Sequence, residues 1–470
     1  MSAMMTLHQA TQWMPGARLV GENKVVVLRV HTDTRTVEPG DLFVALQGER
    51  YDANEFLQEA QQRGAVGVVC HAGLRADLYP AGLPRIEVAD TKAALQSLAT
   101  TWRARFTLPV IAVTGSNGKT TVTQMLAAIL DAQCPGGGAL ATRGNFNNDI
   151  GVPLTLLRLR AGHRMAVVEL GMNHPGEIAT LAAMAQPTVA LVNNAQREHL
   201  EFMQTVQAVA RENGSVIASL PADGVAVVPA DDEFTALWQD LAAPRRCVRF
   251  ALSGGDSQDE MHCVETHWEH GGWQVRAQGM GAHLHYRLSI AGRHNVKNSL
   301  AAAACALAAG VSASAVEQGL QAFQPVKGRS RALEIAVQGR ERTLVDDTYN
   351  ASVESVLAGI DALTAMGGYK VLVFGDMKEL GEESEAQHAR VGHHAREQSL
   401  DAVLTVGEQS RHTADAAAGR HFDNKASLFE VLAQMINTHQ EISILVKGAR
   451  GSRMEDIVEM VKGHQESATC

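Results

Sequence analysis

The sequence predicts an α/β protein built from three successive strand–helix segments, residues 1–106, 107–325 and 326–470. Three observations lead there. At 470 residues the chain exceeds what one hydrophobic core supports. Short β-branched runs alternate with helical stretches over nearly the whole length, the pattern of parallel sheets with crossover helices. One of these units, Val110 to Leu130, carries a glycine-rich turn between its strand and its helix. The composition is that of a globular protein, 46% hydrophobic and 20% charged. A net charge of -10 argues against a nucleic-acid partner, which needs a basic face. The six cysteines are scattered without a C-x-x-C pair, which points to a reduced, cytoplasmic setting and not to a disulfide frame or zinc site. Met1 to Gly16 has no basic region followed by an apolar core, and no run reaches ~18 apolar residues. Neither a secretory signal nor a membrane insertion is therefore expected.

In the first segment Val25–Val30 and Asp41–Leu46 read as strands, and Asn54–Arg63 as a helix. Ala65–Cys70 and Arg85–Val88 are further strands, and Thr91–Arg105 is a helix that ends before Pro109. Two polar turns, Thr32-Asp-Thr-Arg35 and Gly48-Glu-Arg-Tyr-Asp52, interrupt this pattern. Loops of that kind at strand ends hold polar ligands through hydrogen bonds and Arg–phosphate pairs, or are plain surface turns.

The second segment opens on Val110–Val113, a β-branched run of the buried parallel type. Thr114-Gly-Ser-Asn-Gly-Lys-Thr-Thr121 follows, and an apolar-periodic helix runs from Thr121 to Leu130. Glycines bring backbone N–H groups close to an anion, and the helix N-terminus adds its dipole. Lys119 reaches the outer phosphates of a nucleotide, and the Thr120 hydroxyl suits Mg²⁺. The loop is two residues shorter between its glycines than the common P-loop, and a plain Gly/Ser turn is the alternative. Gly144-Asn-Phe-Asn-Asn-Asp-Ile-Gly151 precedes a helix at Pro153–Leu159, and the strand Met165–Val168 delivers Glu169 at its carboxyl end. Ligands of open α/β sheets lie beyond those ends, so Glu169 is a candidate Mg²⁺ ligand facing Thr120. The strand Thr188–Val192 brings His199 to the same rim, as a ligand or as a surface histidine. Val225–Val228 continues the sheet, and Met261–Ile290 reads as antiparallel strands with Gly-Gly turns. Gly292-Arg-His-Asn-Val-Lys-Asn298 then opens an alanine-rich helix closed by Gly310, either as a ligand-facing motif or as an unusually polar N-cap.

From Pro325 the alternation restarts as a separate doubly wound domain. Leu344–Asp347, Lys370–Phe374, Asp401–Val406 and Ile442–Val446 are its strands, with helices between them and a last helix to Lys462.

Taken together, the Thr-Gly-Ser-Asn-Gly-Lys-Thr loop, Glu169, His199 and Gly292-Arg-His-Asn-x-x-Asn298 resemble the ATP machinery of the Mur ligases of peptidoglycan synthesis. Thr32-Asp-Thr-Arg35 with Pro39-Gly-Asp-Leu-Phe-Val-Ala-Leu-Gln-Gly48, and Asn145-Phe-Asn-Asn-Asp-Ile-Gly-Val-Pro-Leu-Thr155, extend the resemblance. So do Glu169-Leu-Gly-Met-Asn-His-Pro-Gly-Glu177, Asp346-Asp-Thr-Tyr-Asn-Ala351, Gly375-Asp-Met-Lys-Glu-Leu-Gly381 and Leu445-Val-Lys-Gly-Ala-Arg450. These point to the member that joins D-alanyl-D-alanine to UDP-N-acetylmuramoyl-tripeptide through an acyl phosphate, with ATP and Mg²⁺ as cofactors. The resemblance implies an N-terminal UDP-substrate domain, a central P-loop ATPase domain and a C-terminal Rossmann-like domain. It implies that Thr114, Gly115, Ser116, Asn117, Gly118, Lys119, Thr120 and Thr121 cradle ATP. Asn295 and Asn298 would face its adenine, and Arg329 and Asp347 its phosphate and ribose. Thr34, Arg35 and Asp52 would lie near the uridine nucleotide, Asn145 and Asn147 near the muramoyl-peptide, and Lys447 and Arg450 near an anionic dipeptide. Lys119, Glu169 and His199 would be catalytic, and Thr120, Glu169 and His199 would hold metal. The expected state is a cytoplasmic monomer.

Two features depart from the family. Most members carry a carbamylated lysine that helps hold a second metal, and alignment places Asn213 at that position. No lysine occurs anywhere between Lys119 and Lys297, so Glu212 substitutes, or His199 and substrate oxygens hold the second metal. The family's Asn-Ala-Asn-Pro stretch reads Asn350-Ala-Ser-Val. A regulatory P-loop ATPase would not need Thr32-Asp-Thr-Arg35, and a non-catalytic nucleotide-sugar sensor would be expected to lack Lys119 or Glu169. The nearest rival within the family adds a diamino acid, and the Gly375 and Asn145 motifs argue against it.

Overall fold

A computed structural model describes residues 3–48, 51–198, 200–254, 257–269, 271–337 and 340–467. Among the described residues three main sheets with flanking helices follow one another along the chain, as the alternation predicts, beside a small antiparallel pair of Met5–Thr6 with Val26–Val27. The first orders Arg18–Val20, Arg85–Val88, Gly67–His71, Asp41–Val44 and Arg29–His31, all parallel except at the Arg18–Val20 edge. The predicted single strand Val25–Val30 is split into Val26–Val27 and Arg29–His31.

Among the described residues the central sheet has nine strands. Val110–Thr114 lies between Met165–Glu169 on one side and Val189–Val192 on the other, all parallel. The strands that follow Val110–Thr114 are laid down first on one side of it and then on the other, so a crevice opens beyond its carboxyl end. These three strands are buried on both faces, which is why they read as unbroken apolar runs. The far edge is the expected antiparallel meander, Glu260–Glu269, Gly272–Gly279 and Ala282–Leu288. Its first strand also pairs in parallel with Arg246–Ala251, a strand whose arginines broke the apolar signal.

The third sheet orders Arg331–Val337, Arg340–Asp347, Ile442–Lys447, Tyr369–Phe374, Ala402–Val406 and Arg420–Phe422. Only its first pair is antiparallel. The helix Thr91–Arg103 packs on Gly151–Leu156 and Glu177–Ala185, so the first and central sheets share one hydrophobic core. The third sheet has its own cores, joined across the boundary by Ala291 and Trp268. Among the described residues no helix is long and apolar enough to cross a membrane.

Candidate functional site

The helix after Val110–Thr114 begins at Lys119, two residues earlier than the apolar period suggested, and Gly118 caps it at φ +81°. A Cβ on Gly118 would sit 2.6 Å from Asn193 Nδ2 and 2.7 Å from Asn298 Oδ1, so only glycine fits. The turn is held from the neighbouring strand end. Asn117 N–H donates to Asn194 Oδ1 at 2.8 Å, and Asn117 Nδ2 donates to Gln196 Oε1 at 2.6 Å. Ser116 N–H donates to the Asn194 carbonyl at 3.1 Å, and Thr114 Oγ1 donates to Asn213 Oδ1 at 2.7 Å. Behind the loop stands a chain of buried amides. Asn193 Nδ2 donates to the Asn117 carbonyl at 2.8 Å and to Asn298 Oδ1 at 3.0 Å, and Asn298 Nδ2 donates to Asn295 Oδ1 at 2.9 Å. The polar Gly292 motif thus buttresses the loop while its residues line the cleft.

That cleft, about 540 Å³, is lined by Ser116 to Thr121, Asn145, Asn147, Glu169, Asn295, Asn298, Arg329, Asp347 and Lys447. Thr114 and Gly115 are not in the cleft lining, and Thr114 is packed in the sheet. A second cavity of about 640 Å³ shares Lys119, Asn147 and Asn173 with it and runs to Lys92 and Gln96 of the first segment.

Five titratable groups set the electrostatics. Glu169 is 1% exposed and its Oε1 accepts from Thr120 Oγ1 at 3.1 Å and from Asn147 Nδ2 at 2.8 Å, while Oε2 has no partner. A buried carboxylate with a spare oxygen beside a hydroxyl is a donor set that fits a hard divalent cation. Lys119 Nζ donates to the Gly115 carbonyl and, at 3.1 Å, to the Ser116 carbonyl. It also lies 3.4 Å from Glu198 Oε2. Burial pushes the Glu198 carboxyl up to about 7 against the pull of Lys119. From the third sheet, Asp347 Oδ2 accepts from Lys447 Nζ at 2.5 Å and Oδ1 accepts from the Ser330 N–H at 3.0 Å. Burial raises the Asp347 carboxyl, yet Lys447 outweighs it and holds the group below the usual carboxylate range. Ser352 Oγ donates to Asn117 Oδ1 at 3.1 Å, directly linking the third segment to the glycine-rich loop.

Some expected residues stand elsewhere. Lys447 is not a free cation at a strand end. It is 2% exposed and spends its ammonium on Asp347 and the Asn350 carbonyl. Arg450 lies outside the cleft lining, 69% exposed and paired with Glu455. Thr34, Arg35 and Asp52 also lie outside it, on loops leaving the carboxyl ends of the paired strands Arg29–His31 and Asp41–Val44. Arg35 is folded onto Asp33, and Asp52 caps the turn at Asn54. Glu212, offered as a stand-in metal ligand, accepts from the Gly176 and Ile178 N–H groups at 2.9 and 2.8 Å and so caps a helix. His199 lies outside the described residues. The sequence reading passed over Glu198, Asn194 and Gln196, although the same strand-end rule that singled out His199 covers them. Glu379, also in the lining, sits at φ +62°, a placement no local pattern announces.

Comparison with known proteins agrees over the full length. Residues 27–103 match the Mur ligase family catalytic domain, 113–306 the Mur ligase middle domain and 330–450 the Mur ligase glutamate ligase domain. The UDP-N-acetylmuramoyl-tripeptide–D-alanyl-D-alanine ligase of Escherichia coli (strain K12) is 41% identical over 466 residues, 99% of each chain. The enzyme of the same name from Bacillus subtilis (strain 168) is 31% identical over 93% of each chain. Among solved structures, MurF from Acinetobacter baumannii superposes with a TM-score of 0.88 at 33% identity, covering 98% of this chain and 100% of that one. MurF ligase from Thermotoga maritima in complex with ADP gives 0.80 at 27% identity, covering 93% and 98%.

Proposed function

This chain belongs to the Mur ligase family, and from that premise we propose that it joins D-alanyl-D-alanine to UDP-N-acetylmuramoyl-tripeptide with ATP and Mg²⁺. The observation that carries the reading is one cleft walled by the glycine-rich loop of the central sheet and by Asp347, Ser352 and Lys447 of the third. A ligase that activates one substrate and admits another needs these two walls to meet.

ATP supplies a phosphoryl group for the tripeptide's terminal carboxylate, the dipeptide amine displaces that phosphate to close the amide, and Mg²⁺ supplies positive charge. The chain's own residues do the rest. The loop N–H groups and the Lys119 ammonium offset phosphate charge, with Lys119 leaving its two carbonyls to do so. Thr120 and Glu169 are the fitting metal holders, and Asn147 fixes the Glu169 carboxylate by its hydrogen bond. The second cavity suits the peptide arm of the UDP-substrate, with Asn145 and Asn147 at the junction. Thr34, Arg35 and Asp52 lie farther off, where a uridine nucleotide on a long arm would end. Lys447 acts by orienting Asp347, not by meeting the dipeptide itself. The seam joining the walls excludes water from the activated carboxylate. We assign residues 1–106 to the UDP-substrate domain, 107–325 to the ATP domain and 326–470 to the domain that admits the amine. A single chain completes the cleft, which fits a monomer, and its soluble substrates fit the cytoplasm.

An amine-acceptor screen tests the proposal. Phosphate release with UDP-N-acetylmuramoyl-tripeptide and ATP should require D-alanyl-D-alanine, and meso-diaminopimelate with the shorter UDP-dipeptide should give none. The reverse preference overturns the assignment.

A further inference from the structure

Nucleotide binding has to break an ion pair. The Lys119 ammonium is turned back onto the Gly115 and Ser116 carbonyls and onto Glu198, and in that position it serves no ligand. Glu198 is 10% exposed, its Oε1 has no partner, and Lys119 is the cation beside its Oε2. Glu379, reaching the cleft from the third segment, adds negative charge on the other side. When Lys119 turns to a phosphate, Glu198 becomes a buried carboxylate facing a polyanion. Such a charge is strongly unfavourable unless a cation, or a proton, replaces the lost one. Across the loop, Glu169 Oε2 is also without a partner. Glu169 ends one of the strands that flank Val110–Thr114, Glu198 follows the other, and both line the cleft with the glycine-rich loop.

We infer that Glu198 is a partner-exchange residue: it holds Lys119 in the nucleotide-free protein and takes up a divalent cation once Lys119 turns to phosphate. Cation and nucleotide then bind cooperatively through this one side chain, and the coupling runs equally in both directions. The inference rests on the reading of the cleft as an ATP site. It makes Glu198 a cation-holding residue in addition to Thr120 and Glu169. It also gives the spare oxygen of each carboxylate a use.

The test is the binding of a non-hydrolysable β,γ-imido ATP analogue to the full chain by calorimetry, in EDTA and in Mn²⁺. Bound Mn²⁺ is read in parallel by electron paramagnetic resonance. The parent and Glu198→Gln are compared, so the affinity of Mn²⁺ for the free analogue cancels. In EDTA, Glu198→Gln should bind the analogue several-fold more tightly than the parent, because no buried anion is stranded. In Mn²⁺ the gain in affinity should be about tenfold smaller in the variant. The Mn²⁺ signal at the site should weaken accordingly. Glu198→Ala is read in the same way should the amide disturb the fold by circular dichroism. Equal Mn²⁺ gains in parent and variants, or weaker metal-free binding after Glu198→Gln, overturn the inference and leave the ATP site standing. A parent that fails to bind the analogue overturns both.

Discussion

Asp347 and Lys447 are a buried pair 2.5 Å apart, drawn from strands that lie side by side in the third sheet. Removing one partner leaves the other charged and unpaired, so Lys447→Ala should cost about 3–5 kcal/mol. Asp347→Asn combined with Lys447→Met should recover most of that loss in urea denaturation. Lys119 is different, because its partners are loop carbonyls and one carboxylate in an open cleft. Lys119→Ala should keep its circular dichroism and lose ligation by ~3 kcal/mol of transition-state stabilisation or more, read as phosphate release. Near-normal turnover in that variant would remove the phosphate-cradle reading. Glu169→Gln keeps the shape and the hydrogen bond from Thr120, so its Mg²⁺ requirement should rise steeply with UDP-substrate binding little changed. The loop and Glu169 were singled out in the sequence because each stands at the end of a strong local pattern, whereas Asn147 came only from the family resemblance and not from its bond to Glu169. The Asp347–Lys447 pair was not, because its partners are 100 residues apart and only the strand order brings them together.

At the scale of elements, the buried parallel strands were read well, while element ends, edge strands and the helices Glu177–Ala185, Val206–Ala218, Thr235–Ala242 and Ala313–Ala322 were passed over. Arg18–Val20 and Arg246–Ala251 carry arginine at alternate or terminal positions and lacked an apolar signal, though pairing makes them strands. The helix Glu177–Ala185 is set by two carboxylates. Glu177 folds the loop before it by accepting from Asn173 and His174 N–H groups at 2.6 and 3.0 Å, and Glu212 caps it from a neighbouring helix. Glu212→Ala should therefore destabilise the fold by the worth of a helix cap, about 1–2 kcal/mol, read as a lowered melting temperature. Its Mg²⁺ titration should stay that of the parent, and a shifted Mg²⁺ curve would return Glu212 to the metal shell. Asn213 is fully buried and bonded to Thr114, which leaves that position nothing to ionise. With no lysine between Lys119 and Lys297, activity should be the same in bicarbonate-free buffer as in bicarbonate. A bicarbonate requirement would place a carbamate elsewhere in the chain.

The whole molecule divides unevenly. Arg103, 4% exposed, donates to the Ala185 and Gln186 carbonyls and fastens the first sheet's last helix to the central sheet. That junction and the shared core make the first two sheets one body. The third meets them through Ser352–Asn117, the apolar contact of Ala291 and Trp268, and the irregular stretch 323–328. Trypsin at low ratio should cut first beside the exposed Lys327, and the ATP analogue with Mg²⁺ should slow that cut by tightening the seam. Cleavage spread evenly through the first two sheets would argue against a single body there. The thin seam also has a meaning for ancestry and engineering. The segment proposed to admit the amine begins near residue 330 with a core of its own, as a replaceable part would. Exchanging it for the matching segment of a relative that keeps the Asp347–Lys447 wall should carry a new acceptor preference onto the same phosphate loop.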